Sequence, residues 1–288
     1  MELGRVNFLI VGAAKSATTW LQRALQEHPG VYMPDPELHY FSREYHRGHD
    51  WYLAQFRLPA SDLLVGEKSN SYLDSDDAAE RIRLAMPDVR LIAQLRNPVD
   101  RAYSDYCMLY RRGMVGSDIE RHLDPRLDPA GRFLAGGHYA RQLARFFERF
   151  PPDRMLVLLF DRMLADPTAQ VARVHRFLAL PPHWPGTAST RVKEKAAPML
   201  HPSVRRYLGW TKPLLSPVWN MPALGKVRRL LVGEISYPAL PPELRRRLVD
   251  HYAREIDDLG RLIGQDLTPW LRTTGAGVGD DDRPPSAP

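Results

Sequence analysis

The chain has 288 residues and a formal net charge of +6, and 44% of its residues are hydrophobic while 26% are charged. This length allows one α/β domain or two smaller domains, and the fractions are those of an ordinary folded protein. The single cysteine, Cys107, excludes an intrachain disulfide, and we find neither a signal-peptide pattern nor an apolar run near the ~18 residues that cross a bilayer, so the sequence predicts a cytoplasmic protein.

Short apolar runs alternate with helical patterns along the chain. The apolar runs predict buried strands at residues 7–11, 62–68, 89–96 and 154–160. The patterns between and after them predict helices at about 18–28, 78–86, 98–112, 138–150, 161–179 and, to close the chain, 241–264. Because strands that alternate with helices pair in parallel, we expect an α/β fold with a central, mostly parallel sheet flanked by helices.

The other segments show no clear period. Residues 114–136 are rich in Gly, Asp, Pro and Arg and are interpreted as a loop or lid, and residues 195–240 as a second one. The polar tail at 273–288 cannot bury enough apolar surface to become ordered. We therefore expect a single domain at 1–272 that is followed by a disordered tail.

The turn after the first strand has the composition of an anion site. Gly12 allows a tight turn after the apolar run at 8–11, and the N-terminus of the next helix offers unpaired N–H groups. Lys15 adds a positive charge, but it follows Gly12 by three residues with no glycine directly before it, unlike the ATP-binding loop G-x-x-x-x-G-K-[ST]. The structural alternative is a helix N-cap formed by Ser16 or Thr18 beside an incidental lysine.

A second anion site is predicted where the third strand ends. Arg96 ends the run "LIAQLR", Pro98 opens the next helix, and Ser104 lies two turns along it. Because ligands collect at the carboxyl ends of parallel strands, Lys15 and Arg96 should face the same crevice. An arginine fork bonds two phosphate oxygens at once, although a surface ion pair explains Arg96 taken alone. Two phosphate sites without an acidic residue for magnesium indicate a nucleotide that carries groups at its 5′ and 3′ positions.

These segments resemble those of a known family. "FLIVGAAKSATTWLQRALQEHPGVYMPDPELHYF" resembles the 5′-phosphosulfate-binding loop of sulfotransferases that use 3′-phosphoadenosine 5′-phosphosulfate (PAPS), and "LRNPVDRAYSDY" resembles their 3′-phosphate-binding segment. "GEKSNSYL" and "GHYARQL" also match the family's order, over roughly residues 6–182. The arrangement is similar to the bacterial and heparan-sulfate-type branch and implies a P-loop-like, three-layer fold. Ala17 departs from the pattern, because the family usually has glycine there.

The resemblance implies how the co-substrate is held. Lys15 would neutralise charge on the bridging oxygen as it leaves, while Arg96 and Ser104 would hold the 3′ phosphate. The segment that would hold the 5′ phosphosulfate is Ser16, Ala17, Thr18, Thr19 and Trp20.

Two further parallels with the family concern the surroundings of the nucleotide. Tyr139 in "GGHYARQL" falls where the family has a residue close to the cofactor, although an aromatic at a helix start is often a core residue. The family closes a basic loop over the nucleotide, and Lys193 and Lys195 in "TRVKEKAAPM" are the nearest candidates here. That segment does not show the family's usual Lys-Gly-Arg order, so a solvated charge run is the alternative.

The segment "DPELHYF" offers two candidates for the base that accepts the acceptor's proton. Glu37 and His39 share one face of an extended segment. The resemblance favours Glu37, and desolvation in the cleft is expected to raise the pKa of its carboxyl group. The resemblance also places Lys68, at the end of the second strand, beside the acceptor and the base. The alternative is that His39 is structural and Glu37 only pairs with Lys68.

The acceptor is expected to contact residues 40–60, the 114–136 loop and the segment after 200. We expect a hydroxyl, or secondarily an amine, of a glycan, glycolipid or secondary metabolite, and a lipid-linked acceptor would bring the protein to a membrane surface. Nucleic-acid binding is disfavoured because the basic residues form no long stripe with regular aromatics. The rival functions are an ATP-dependent kinase and a nucleotide- or polyanion-binding module without catalysis.

Overall fold

A computed structural model describes residues 2–57, 62–184, 199–200, 232–233 and 236–273 of the chain. Lys193, Lys195, most of the predicted lid at 195–240 and the tail from residue 274 onward lie outside the described residues. The predictions made for them therefore stay predictions.

The described residues form a central sheet of five parallel strands in the order β2-β3-β1-β4-β5. The strands, in chain order, are β1 (Val6–Gly12), β2 (Val31–Tyr32), β3 (Leu64–Lys68), β4 (Arg90–Leu95) and β5 (Met155–Leu159). A separate antiparallel pair consists of β6 (Met199–Leu200) and β7 (Val232–Gly233). Because β1 lies between β3 and β4, its carboxyl end is flanked by theirs, and all loops that leave this edge are neighbours.

Helices cover both faces of the sheet, as the alternating sequence pattern predicts. In chain order they are α1 (Thr18–Gln26), α2 (Gly48–Leu53), α3 (Ala78–Ala85), α4 (Pro98–Arg111), α5 (Glu120–Leu123), α6 (Arg132–Ala135), α7 (Tyr139–Phe147), α8 (Phe160–Ala165), α9 (Pro167–Leu178) and α10 (Pro242–Ile263). None of the helices in the described part of the chain is both long and apolar enough to span a bilayer.

Alternate residues of β1 enter two different hydrophobic cores. Phe8 and Ile10 pack in a cluster with residues of α1 and α9 on one face of the sheet. Leu9 and Val11 pack in the larger cluster on the other face, which includes residues of α3, α4, α7 and α10. Successive side chains of a strand point to opposite faces, and all four are fully buried, so β1 is covered on both sides. The three-layer, P-loop-like architecture expected from the sequence is confirmed.

Three local predictions differ from the structure. The strand β2 was not predicted, since two residues are too few to show a period. The single helix expected over 161–179 is two helices, because Asp166 caps the second by accepting a hydrogen bond from the Ala169 N–H at 2.8 Å, with Pro167 at its first position. The segment 114–136 is not wholly irregular, since it contains α5 and α6, which bury apolar side chains in the larger core.

The His28 ring contacts the rings of two other histidines, His175 in α9 and His183 in the segment that follows it. The His28 ring lies 5.1 Å from that of His175 and 5.3 Å from that of His183, measured between centroids. Burial, followed by the charges of His28 and His183, lowers the pKa of His175 from 6.5 to about 4. The folded state therefore holds this imidazole neutral at a pH at which the unfolded chain already binds a proton.

We expect acid to destabilise the protein through His175. Its contribution to stability is fully present above pH 6.5 and is lost as the pH falls towards 4, with a loss of about 2 kcal/mol by pH 5. Urea unfolding at pH 7.5 and pH 5 measures it. In His175→Gln the free energy of unfolding should differ less between the two pH values, by about 2 kcal/mol. In His183→Gln most of the wild-type difference in this free energy should remain. An equal pH dependence in wild type and His175→Gln would contradict the assignment.

Candidate active site

The loop between β1 and α1 is fixed to the neighbouring strand β4 by two hydrogen bonds. The Ala13 N–H donates to the Gln94 backbone oxygen at 2.8 Å, and the Gln94 side-chain amide donates to the Ser16 backbone oxygen at 2.5 Å. Two residues of the loop, Lys15 and Ala17, adopt left-handed conformations with φ of 69° and 61°. This explains why a glycine suits position 17, since a residue with a Cβ costs about 1–2 kcal/mol there.

The N-terminus of α1 is not capped in the way that the structural alternative predicts. Ala17 occupies the N-cap position, and its methyl side chain cannot accept a hydrogen bond from the helix. The Thr18 hydroxyl instead donates to Asn70 Oδ1 at 2.7 Å, and the Ser16 hydroxyl is fully buried beside that of Tyr139. The positive end of the helix dipole therefore favours an anion at this N-terminus.

Arg96 and Lys15 lie at the same edge of the sheet, as expected for residues that follow parallel strands. Arg96 Nη1 donates to the Lys15 backbone oxygen at 3.3 Å, and the guanidinium carbon lies 4.6 Å from the centroid of the Phe160 ring. Ser104 lies in the second turn of α4 and is partly exposed. The structure therefore brings the two predicted phosphate-binding segments to a single region.

Tyr139, the first residue of α7, extends this region inward. Its side chain is almost fully buried, and burial raises the pKa of its phenol, while Arg101, Arg96 and Ser16 nearby lower it. The hydroxyl groups of Tyr139 and Ser16 are both buried and lie beside each other, although the contact does not meet strict hydrogen-bonding geometry. Tyr139 therefore lies at the inner side of the candidate phosphate region, next to Ser16 and Arg96.

Glu37 lies beside the phosphate region and is held by two residues that follow or end β3. Lys68 Nζ is 3.0 Å from Glu37 Oε1, the Asn70 backbone N–H donates to Oε2 at 3.1 Å, and the Asn70 side chain donates to Oε1 at 3.1 Å. His39 Nε2 is 3.8 Å from Glu37 Oε2. The two candidate bases and the auxiliary lysine therefore form one cluster, in which Glu37 has the larger number of polar contacts.

The expectation of a raised pKa for Glu37 is wrong in this structure. Burial does raise the pKa of Glu37, but the charge and hydrogen bond of Lys68, the Asn70 N–H and the charge of His39 together outweigh it and bring the pKa below 4.5. Burial lowers the pKa of His39, with Glu37 acting against it. The carboxylate is thus ionised at neutral pH and is able to accept a proton, and it pairs with Lys68, as the structural alternative proposed.

Lys68 links this cluster to the phosphate region. Its side chain is only 3% exposed, and Nζ donates to Thr19 Oγ1 at 3.1 Å as well as pairing with Glu37. The hydrogen bond from Thr18 to Asn70 makes a second link between α1 and the loop after β3. Trp20, also in the first turn of α1, is partly exposed. A ligand held by α1 would therefore lie next to the Glu37 carboxylate.

Sequence reasoning missed Asn70 and Gln94, whereas the position of Glu67 at the end of the second predicted strand directs it, with Lys68, to the cleft. Asn70 and Gln94 position the two candidate segments through hydrogen bonds, and Glu67 is a fully buried carboxyl group next to Lys68. The signal for Asn70 was its place two residues after Lys68 at the end of a strand. Gln94 was also visible as a lone polar residue within the apolar run of β4.

Comparisons with known proteins identify the family of this chain. The family model of the sulfotransferase domain matches residues 5–197. Heparan sulfate glucosamine 3-O-sulfotransferase 6 from Homo sapiens is 34% identical over 184 residues, which are 62% of this chain and 54% of that protein. The bifunctional heparan sulfate N-deacetylase/N-sulfotransferase 2 from Homo sapiens is 28% identical over an alignment of 289 residues, gaps included, which covers 92% of this chain and 31% of that protein.

A solved structure shows the same fold. The sulfotransferase from Alicyclobacillus acidocaldarius superimposes with a TM-score of 0.69 and 26% identity, and the match covers 93% of this chain and 99% of that chain. The chain spans about half or less of the length of the two curated relatives. Since the family model covers more than half of the chain, the protein belongs to the sulfotransferase family.

Proposed function

We propose that the protein transfers a sulfuryl group from PAPS to a hydroxyl group of a glycan, a glycolipid or a secondary metabolite, with an amine as the second choice. The observation that carries the proposal is the shared edge of the sheet, where Arg96 contacts the Lys15 backbone and Lys68 joins Thr19 to Glu37. A cationic region and a carboxylate that accepts a proton are thus next to each other, which an in-line group transfer requires.

The residues present fit PAPS. Lys15, the hydroxyl groups of the 16–19 segment and the first N–H groups of α1 would hold the 5′ phosphosulfate, and Arg96 with Ser104 would hold the 3′ phosphate. The hydroxyl group of Ser16, which is buried beside the Tyr139 hydroxyl at the start of α1, supports this assignment. When bound, PAPS supplies an activated sulfuryl group on a phosphate leaving group. Trp20 and Tyr139 belong to the same proposed site, and Lys193 and Lys195 stay predictions outside the described residues.

The cluster around Glu37 would remove the proton of the acceptor. Glu37 is ionised and a quarter exposed, so an acceptor hydroxyl can reach it. Lys68 would orient this carboxylate and add positive charge close to Thr19. His39, 3.8 Å from Glu37, is proposed to contact the acceptor or to assist the base. Lys15 would stabilise negative charge on the leaving oxygen, which is where the transition state develops it.

The acceptor class and the cellular location are also proposals. The two human relatives are named for heparan sulfate, and a hydroxyl-bearing glycan is accordingly our first acceptor probe. The single cysteine supports a reducing compartment such as the cytoplasm. The ATP-dependent kinase is set aside, because Arg96 rather than an acidic residue for magnesium follows β4 and the family model is that of a sulfotransferase.

Calorimetric titration with 3′-phosphoadenosine 5′-phosphate, ADP and ATP tests the proposed co-substrate. We expect a clear preference for the 3′-phosphorylated nucleotide and a loss of about 10–100-fold in its affinity in Arg96→Ala, because a charge-assisted hydrogen bond is removed. Arg154→Ala is the matched control, since Arg154 lies before β5 at the opposite edge of the sheet, where it pairs with Asp88. Equal affinity for ADP, or equal losses in both variants, would overturn the assignment.

A further inference from the structure

Glu67 is a fully buried carboxyl group that has no role in the proposed sulfuryl transfer. It precedes Lys68 at the carboxyl end of β3. Each of its oxygens accepts one hydrogen bond, Oε1 from the Tyr72 hydroxyl at 2.5 Å and Oε2 from the Ser69 hydroxyl at 2.9 Å. A buried carboxylate is costly to retain, and replacement by an apolar side chain would often be neutral. The contacts of its two hydrogen-bond donors, Tyr72 and Ser69, indicate the role of Glu67.

Ser69 connects Glu67 to the proposed site, because it donates to Glu67 and accepts from the backbone of His39. A serine hydroxyl carries one hydrogen, and here that hydrogen is given to Glu67. The Ser69 oxygen therefore faces other groups as an acceptor, and the His39 backbone N–H donates to it at 2.8 Å. Glu67 thus fixes the orientation of Ser69, and Ser69 fixes the backbone at His39.

The backbone at His39 needs such support. Its φ of 51° is in the left-handed region, which is unfavourable for a residue with a Cβ. The side chain of His39 is bound to the Ser71 hydroxyl at 2.7 Å, so two serines of one loop hold this turn. Asn70, between those serines, holds both oxygens of Glu37. The turn that carries the proposed base is therefore fixed by the loop at 69–71.

We propose that Glu67 is a positioning residue for sulfuryl transfer, which acts through Ser69 to hold the His39 turn and thereby places the Glu37 carboxylate against the acceptor. This inference rests on the proposed function. It gives Glu67 no contact with the acceptor or the co-substrate. The hydrogen bond from Tyr72 satisfies the other oxygen of Glu67. The Tyr72 hydroxyl also lies near Ser69 and the Phe41 backbone, but the acceptor of the His39 N–H is Ser69 itself, so Tyr72 provides an internal comparison.

The protonation state of Glu67 gives the proposal a measurable signature. Burial raises the pKa of Glu67 to about 7; Glu37 adds to the rise, and the hydrogen bonds from Tyr72 and Ser69 and the charge of Lys68 oppose it. Tyr52 also faces the carboxyl group and is fully buried. A protonated Glu67 has a hydrogen of its own to donate, so it no longer requires Ser69 as a donor and the support of the turn is weakened. Turnover should therefore fall as the pH drops below about 7.

Two matched variants test the path, assayed with PAPS and desulfated heparan sulfate. Ser69→Ala and Tyr72→Phe each remove a hydrogen bond to the same carboxylate, but only Ser69→Ala removes the acceptor of the His39 N–H. We expect Ser69→Ala to lower kcat up to about 10²-fold with KM for PAPS unchanged, since a small misplacement of a reacting group has effects of this size. At pH 8.5, Tyr72→Phe should stay within about 3-fold of the wild type in kcat. In Tyr72→Phe the fall of kcat on the acid side of the pH profile should begin at a higher pH, because a hydrogen bond that lowers the pKa of Glu67 is lost.

A measurement without substrate separates this inference from the proposed function. Amide hydrogen exchange at His39 should be about 10-fold faster in Ser69→Ala and unchanged in Tyr72→Phe, because only Ser69→Ala removes the acceptor of this N–H. Equal exchange in the two variants, equal losses of kcat, or an acid limb that does not move would overturn the role of Glu67. If the two variants show this exchange pattern but the wild type binds no PAPS, the proposed function is contradicted instead.

Discussion

Replacing Glu37 with glutamine is expected to lower turnover by about 10²–10⁴-fold while the affinity for the nucleotide stays the same. The amide has the size of the carboxylate and still accepts the hydrogen bond from the Asn70 N–H, but it cannot take a proton. Because the Lys68 charge contributes to a pKa below 4.5, the wild-type carboxylate is ready as a base at neutral pH. Single-turnover rates with PAPS and desulfated heparan sulfate, beside calorimetry of the nucleotide, measure both effects.

The same segment provides a control variant at Glu44 and an alternative candidate for the base, His39. Glu44→Gln removes a carboxylate seven residues away that pairs with Arg47 at the surface, and it should keep turnover within about 3-fold of wild type, as expected for a surface pair. His39→Gln should lose less turnover than Glu37→Gln. If turnover survives in Glu37→Gln and collapses in His39→Gln, the proton is taken by His39.

Lys15→Ala is expected to reduce kcat by about 10²–10³-fold, which is the effect of removing one stabilising donor from a developing oxyanion. The loop that carries Lys15 is fixed through Ala13 and Ser16 to Gln94, so the backbone should keep its shape in the variant. Single-turnover measurements at saturating PAPS separate the loss in chemistry from a loss in binding.

Lys15→Arg is the comparison for this variant. It keeps the positive charge but presents it as a broader fork, so we expect a rate between those of wild type and Lys15→Ala. A loss that is confined to the affinity for PAPS, with the single-turnover rate intact in both variants, would show that Lys15 binds the ground state only.

The sequence was sufficient for the main features of the fold and for the edge at which the candidate site lies. The apolar run at 7–11 and the similar runs of β3 and β4 predicted parallel strands, and the rule that their carboxyl ends meet placed Lys15 and Arg96 together. Strand β2 escaped prediction because a two-residue strand has no period. The break at Asp166 was missed although the Asp-Pro pair is a known helix start.

The protonation state of the proposed base could not be predicted in the same way. Glu37 was expected to be desolvated, which is correct, but the sign of its pKa shift depends on Lys68 and Asn70, which follow it by more than 30 residues in the chain. Side-chain hydrogen bonds between distant segments have no periodic signature in a sequence. The path from Glu67 to His39 was invisible for the same reason.

The order of the strands separates two kinds of contact within the sheet. The proposed nucleotide contacts follow β1 and β4, whereas Glu37 and Lys68 belong to the β2 and β3 side. Exchanging the segment at 33–57 with that of a relative is therefore expected to change which acceptors are modified. The affinity for the nucleotide should stay the same. Such exchanges offer a route by which one scaffold acquires new acceptors step by step.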